Sequence, residues 1–140
     1  MLPSMNVQPD CRAAALALMH PVKAGRADQL QEALRQLRHQ DIVAMQGQRL
    51  MSAVQWVVFD NHTRLLCTIH FRGTVDVFLR DFATYEAATC RRIWGNCIGY
   101  PDGETHTIDN VAAYLAAGQV PITAYFPGGS CRSSSNAFAS

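Results

Sequence analysis

The sequence lacks the short motifs that identify several large classes of enzyme. Its nine glycines form neither Gly-x-Gly-x-x-Gly nor Gly-x-x-x-x-Gly-Lys, the loops that bring backbone amides to a nucleotide phosphate. The Gly-x-Ser-x-Gly turn of a serine hydrolase is also missing. Nucleotide-dependent and serine-hydrolase chemistry are therefore disfavoured.

An excess of charge and long hydrophobic runs are missing as well. Twelve basic and eleven acidic side chains give a formal net charge of +1, which provides no electrostatic footprint for nucleic acid or an anionic membrane. No apolar run approaches the roughly 20 residues that span a bilayer, and residues 1–10 lack the basic and apolar regions of a secretory signal. We expect a cytoplasmic protein that binds neither nucleic acid nor membrane.

The cysteines predict reduced thiols. They are five in number and irregularly spaced, and no Cys-x-x-Cys pair occurs, so a disulfide framework is disfavoured. The five histidines form no recognised metal-ligand spacing with them, and no metal site is predicted. The cysteines are Cys11, Cys67, Cys90, Cys97 and Cys131.

Apolar residues, in contrast, are sufficient for one core. With 140 residues and 49% hydrophobic side chains, the chain is expected to form a single domain over residues 1–130. Residues 1–10 carry two prolines and no periodicity, which indicates a loose leader. Residues 131–140 are too poor in apolar side chains to pack and are expected to be a tail that is disordered, or ordered only by a partner.

The strongest pattern is a β-hairpin over residues 54–73. Two apolar runs flank the polar stretch Asp60–Arg64, whose Asp and Asn suit the backbone of a turn. In the second run, alternate residues point to opposite faces. We expect one face to meet the helices and the half-polar face to meet water, a ligand cleft or another subunit. The first face carries Leu65, Cys67, Ile69 and Phe71, and the second carries Leu66, Thr68, His70 and Arg72.

Weaker patterns place a strand and helices around the hairpin. A buried strand is predicted at about residues 13–20 and an amphipathic helix at about residues 24–40, with leucines at helical spacing. After the hairpin, Thr74 is suited to cap a long helix with a break near residues 83–85, in which Phe78, Phe82 and Tyr85 are predicted to be core. A short helix at about 107–117, which Gly118 ends, and a last strand at 121–126 follow.

This order of elements, βαββαβ, resembles the ferredoxin-like fold and, more specifically, the dimeric α+β barrel superfamily, over about residues 12–127. The predicted class is α+β, with an antiparallel sheet and an extra helix inserted before the last strand. The loop motif Trp94-Gly-Asn-Cys-Ile-Gly-Tyr-Pro is similar to that of uncharacterised bacterial members. The resemblance implies a homodimer. The superfamily includes haem-dependent peroxidases, monooxygenases and simple binding proteins, so the fold does not select a chemistry.

Four features are candidates for function, and each has a structural alternative. His70 could ligate haem iron or act as a base, or form a hydrogen bond at an interface. Cys97 could be a reactive thiol or a small buried hydrophobe. Tyr100 could border a pocket or fix its loop to the core. Arginines could bind a carboxylate through a planar fork or face solvent; they are Arg72, Arg91 and Arg92.

Three functions follow from these candidates. The favoured one is a small-molecule-binding dimer with its pocket between the open sheet face and the loop at residues 94–103. The second is a haem-associated peroxidase-like or monooxygenase-like enzyme that uses His70 or His106 as ligand or acid/base. The third is a structural module that self-associates through its sheet. The candidate catalytic residues are His70, Cys97 and His106, and the candidate ligand-binding residues are Thr68, His70, Arg72, Trp94, Tyr100 and Tyr125.

Overall fold

The computed structural model describes two stretches of the chain, residues 13–37 and 51–126, and both contain strands and helices. The predicted leader, the predicted tail and residues 38–50 lie outside the described residues. In chain order the elements are β1 (Ala13–Pro21), α1 (Ala27–Arg35), β2 (Met51–Phe59), β3 (Arg64–Arg72), α2 (Val75–Tyr85), α3 (Ala87–Trp94), a 3-10 turn (Gly103–Thr105), α4 (Ile108–Ala117) and β4 (Gln119–Val120).

The strands form one four-stranded antiparallel sheet in the order β2-β3-β1-β4. The pairing of β1 with β3 is the longest, running without a shift from Ala13 opposite Arg72 to Pro21 opposite Arg64. Because β3 is antiparallel to both of its neighbours, β1 and β2 run parallel to each other on either side of it. The predicted α+β class with an antiparallel sheet is confirmed.

The predicted hairpin is confirmed, and its turn uses unusual backbone angles. Asp60, Asn61 and His62 have φ of 57°, 56° and 67°, in the left-handed region that Asp and Asn tolerate better than most residues. The amide of Thr63 donates to the carbonyls of Phe59 and Asp60, both at 3.2 Å. The turn residues therefore supply the reversal that joins β2 to β3.

The two faces of β3 differ in burial as the alternation predicts. One face is buried under the helices, and its members are at most 1% exposed: Leu65, Cys67, Ile69 and Phe71. On the opposite face, which we call the open face, Leu66 and Thr68 are half-buried while His70 and Arg72 are exposed. The core therefore lies between the sheet and the helices.

Aromatic rings fill much of that core. Phe78 stacks on Phe71 with ring centroids 4.7 Å apart, and Phe82 meets Trp94 edge-on at 6.1 Å. The prediction that Tyr85 is core is wrong, since it is 61% exposed. The helical conformation breaks at Glu86, with φ −118° and ψ 35°, so Tyr85 is the last residue of α2.

The ends of two elements also differ from prediction. Helix α1 begins at Ala27, three residues later than expected, because Gly25 adopts a φ of +77° that no helix contains. The last strand is Gln119–Val120, where it pairs with Ala17 and Leu18, and residues 121–126 form no strand. Pro121 has no amide hydrogen for a sheet ladder, which accounts for the early end of β4.

Threonine caps fix the starts of α2 and α4. The hydroxyl of Thr74 accepts from the amide of Val77 at 3.4 Å, and that of Thr107 accepts from the amide of Asn110 at 3.1 Å. Both satisfy amides that a helix start leaves unpaired. Within residues 13–37 and 51–126, no helix is long and apolar enough to cross a membrane.

Candidate functional site

A cleft of about 450 Å³ lies between α1 and the C-terminal end of α3. One wall is formed by α1 and the turn before it, another by the last turn of α3, and the third by the loop that follows α3. We call it the basic cleft. It is lined by Lys23, Arg26, Gln29, Ala33, Arg91, Arg92, Gly95, Asn96, Tyr100, Pro101 and Asp102.

Backbone hydrogen bonds join two of these walls. The amide of Lys23, just past the end of β1, donates to the carbonyl of Asn96 at 2.9 Å, and the amide of Ile98 donates to the carbonyl of Pro21 at 2.9 Å. The segment leading into α1 is therefore tied to the loop after α3. This pairing fixes the spacing of the cleft walls.

The side chain of Asn96 strengthens the same junction. It is only 5% exposed, its Oδ1 accepts from Nε of Arg26 at 3.0 Å, and its Nδ2 donates to the carbonyl of Arg92 at 3.0 Å. A guanidinium carries five N–H donors, and Asn96 uses one of those of Arg26. The Arg26 side chain is thus anchored across the cleft with donors left over.

Positive charge dominates the lining. Four cationic side chains, Lys23, Arg26, Arg91 and Arg92, line the cleft with one carboxylate, that of Asp102. None of the four forms an ion pair with a carboxylate in the described parts of the chain. The side chains that accept hydrogen bonds from the three arginines are neutral: Asn96, His106 and Gln36. The positive charge of the cleft is therefore poorly compensated.

Hydrogen bonds to His106 hold two of the lining side chains, Arg91 and Tyr100, in place. Nη2 of Arg91 lies 3.1 Å from Nδ1 of His106, and the hydroxyl of Tyr100 lies 2.7 Å from its Nε2. A guanidinium can only donate, so Nδ1 accepts and the neutral imidazole carries its hydrogen on Nε2, which donates to the Tyr100 oxygen. The hydroxyl hydrogen of Tyr100 is then free to donate to another group.

Tyr100 is suited to remain a donor. Its side chain is 9% exposed and borders the cleft, and burial raises the pKa of the phenol. It therefore stays protonated at neutral pH and offers its O–H as a neutral donor beside the cationic groups.

The sequence-predicted site residues separate into three groups, at the basic cleft, on the open face and in the core. Tyr100 and His106 come together at the basic cleft with Arg91 and Arg92. A second group lies on the open face, where the hydroxyl of Tyr125 is 3.4 Å from Nδ1 of His70. That second group contains Thr68, His70, Arg72 and Tyr125.

Two candidates are part of the core. Trp94 is fully buried and contacts Phe82, Trp56 and His20. Cys97 is also fully buried, and burial raises the pKa of its thiol to about 12, although the Lys23 ammonium lowers it in part. At neutral pH this thiol is protonated and packs as a small hydrophobe.

Haem ligation is a sequence-based prediction for His70 or His106. Both ring nitrogens of His106 are engaged, by Arg91 and Tyr100, so iron would have to displace one of them. His70 is exposed on the open face, and ligation by it stays a prediction. Among the described residues no group of three or more His, Cys, Asp and Glu side chains is arranged to hold a metal ion.

Sequence reasoning missed Lys23, Arg26 and Asn96. One signal was present: Lys23 and Arg26 precede a helix, where the positive end of the helix dipole disfavours cations. Arg26 occupies the N-cap position of α1, and no side chain caps that helix. Cationic side chains at the start of a helix favour the binding of an anion nearby.

Comparison of the chain with models of protein families, with curated proteins and with solved structures finds no match. The resemblance to the dimeric α+β barrel superfamily therefore stays a prediction.

Proposed function

We propose that this protein binds a small anionic molecule in the basic cleft. The observation that carries the proposal is the lining of four cationic side chains and one carboxylate, without a described acidic partner for any of the four. A volume of about 450 Å³ falls within the usual range of small-molecule pockets. The lining groups suit binding, and the proposal assigns no nucleophile to them.

Each lining group has a distinct part in this proposal. Arg26 and Arg92 offer planar forks from two walls, and Arg91 is oriented by His106. Tyr100 donates a neutral hydrogen bond to the ligand. Asp102, whose Oδ1 accepts from the amide of Gly103 at 2.8 Å, faces a donor group of the ligand with its remaining acceptor capacity.

Replacing Arg92 by glutamine is expected to weaken anion binding about tenfold or more, because a hydrogen bond to a charged group contributes about 1.5–3 kcal/mol. The measurement is isothermal titration calorimetry at low salt, with phenyl phosphate and benzoate as probes. We expect at least one probe to bind the wild-type protein with one-to-one stoichiometry.

The matched control is Arg80→Gln, which removes the same charge from an arginine that pairs with Asp109 outside the cleft. This variant should bind the probes as the wild type does. Equal losses in Arg92→Gln and Arg80→Gln, or no binding of either probe to the wild type, would contradict the proposed function.

We also infer that the fold is the ferredoxin-like arrangement of the dimeric α+β barrel superfamily. Support comes from β3 lying between the parallel strands β1 and β2, with α1 connecting them, and from β4 pairing beside β1. The homodimer implied by this resemblance would use the open face. On this face Val57, which pairs with Leu66, is 37% exposed. Phe126, which follows Tyr125 in the chain, is 89% exposed.

Dimerisation through the open face predicts that Val57→Glu yields a monomer, because it would bury a carboxylate beside the apolar side chain of Leu66. Light scattering coupled to size-exclusion chromatography gives the mass of each variant. Val77→Glu is the control, since Val77 is 55% exposed on α2, away from the sheet. A monomeric wild type, or dissociation caused only by Val77→Glu, would rule out this dimer.

A further inference from the structure

The charge of the basic cleft also indicates the chemical class of its ligand. We propose that the ligand carries a doubly charged phosphate, as a phosphate monoester does, in place of a single carboxylate. This inference rests on the anion-binding function proposed above and makes it more specific. It concerns how many negative charges and how many acceptor oxygens the ligand presents.

The number of charges favours a dianion. Among the lining side chains there are three more cations than carboxylates. A monocarboxylate would compensate one of them and leave the others facing each other in a confined space, where like charges repel. A dianion compensates twice as much charge in the same volume.

The directions of the donors favour a tetrahedral group. Arg26 lies on the α1 wall and is held from across the cleft by Asn96, while Arg91 and Arg92 belong to the last turn of α3. A carboxylate has two oxygens in one plane and suits one guanidinium fork. A phosphate monoester has three terminal oxygens spread in space, so it can accept from guanidinium groups on different walls.

The start of α1 also favours an anionic ligand. This nine-residue helix has Arg26 at its N-cap position and no side-chain cap, so its first amides lack the usual acceptor. Its positive dipole end, together with Lys23 and Arg26, favours an anion over a neutral ligand, and Asp28 in the first turn offsets part of this charge. Lys23 and Arg26 both line the cleft.

The cleft is larger than a phosphate group. Its volume of about 450 Å³ leaves room for an organic part, which would lie toward the side of the cleft formed by Tyr100, Pro101 and Asp102. The lone carboxylate of Asp102 disfavours a second phosphate there and suits a hydroxyl or amine. The ligand class is therefore a phosphate monoester of a small polar molecule.

Phenyl phosphate and phenyl sulfate test the inference because they share shape and terminal oxygens and differ in charge. A phosphate monoester loses its second proton near pH 6, so it is a dianion at about pH 7.5 and mostly a monoanion at about pH 5. The sulfate ester is a monoanion throughout. At the higher pH we expect calorimetry to show that phenyl phosphate binds at least tenfold tighter than phenyl sulfate. At the lower pH the ratio of the two affinities should fall roughly tenfold, as the dianion fraction of phenyl phosphate does.

Taking the ratio of the two affinities at each pH cancels any effect of pH on the folded fraction of the protein, which both probes share. Protonation of a group at the cleft adds positive charge and favours the dianion more than the monoanion, so it would oppose, and could not produce, the expected fall of the ratio at the lower pH. The charged and titratable groups that line the cleft are Lys23 and Arg26 before α1, Arg91 and Arg92 on α3, and Tyr100 and Asp102 on the loop side, with His106 bonded to Arg91 and Tyr100.

The possible results separate this inference from the proposed function. A ratio near one at the higher pH, with both probes weakened by Arg92→Gln, would overturn the dianion inference and leave the anion cleft intact. A phosphate preference that does not change with pH would also overturn it, because shape and not charge would then be recognised. Failure of both probes to bind would overturn the proposed function itself.

Discussion

Replacing Trp94 by alanine is expected to lower the free energy of unfolding by about 3–5 kcal/mol, the usual loss for a large buried aromatic side chain. Trp94 is the largest of the fully buried side chains among the described residues, and it meets the rings of His20 and Trp56 at centroid distances of 6.3 Å. Its removal would leave a cavity in the core at the end of α3. Urea denaturation followed by circular dichroism measures the loss.

Two further variants show whether the lost stability comes from the buried volume of Trp94 or from its polar Nε1 group. Nε1 of Trp94 is buried without a hydrogen-bond partner in the described residues, so Trp94→Phe breaks no hydrogen bond and should cost less than Trp94→Ala. Trp56→Ala, at a half-buried position, should also cost less. If Trp94→Ala destabilised the protein by less than Trp56→Ala, the central place of Trp94 in the core would be refuted.

Replacing Gly118 by alanine is the second change with a large expected effect. A Cβ at this position would lie within 3 Å of Nε2 of His20 and of the carbonyl oxygen of Met19. The residues cannot simply move apart, because the Met19 amide donates to the Gly118 carbonyl at 2.8 Å, joining β1 to the end of α4. We expect a loss of about 2–3 kcal/mol in the free energy of unfolding from overpacking, measured by the same urea denaturation.

Gly73→Ala separates this steric effect from backbone strain. Gly73 has a φ of +99° and open space where the alanine methyl group would lie, whereas Gly118 has an ordinary φ of −91°. Strain alone should therefore cost Gly73→Ala about 1–2 kcal/mol. In the Gly118→Ala protein, the further change His20→Ala should restore part of the lost stability. Absence of any such coupling would show that His20 is not the obstacle.

Local features of the fold were the ones that sequence predicted well. The hairpin turn at Asp60–Arg64, the Thr74 cap and the Thr107–Gly118 helix limits all depend on neighbours within a few residues. The end of β4 was a local signal that was misread, since Pro121 stood at the start of the predicted strand and marks the end of the real one.

The basic cleft could not be predicted in the same way. Arg26 and Asn96 are 70 residues apart in sequence, and no spacing rule relates them. The sequence did single out Arg91, Arg92 and Tyr100, but the predicted pocket lay between the open face and the loop at residues 94–103, because the sequence could not show on which side of the sheet that loop lies. Tyr85 is the last residue of α2 and is exposed there, so its helical spacing from Phe78 and Phe82 did not predict its burial.

The junction of Lys23 with Asn96 and of Pro21 with Ile98 has a consequence for finding the ligand. Because these two segments meet only when the chain is folded, an unfolded chain has no cleft, and whatever fills the cleft must raise the melting temperature of the protein. A ligand at about 100 times its dissociation constant adds roughly 2.7 kcal/mol to the stability. Thermal denaturation across a collection of phosphorylated metabolites would thus identify the natural occupant without an assay for activity.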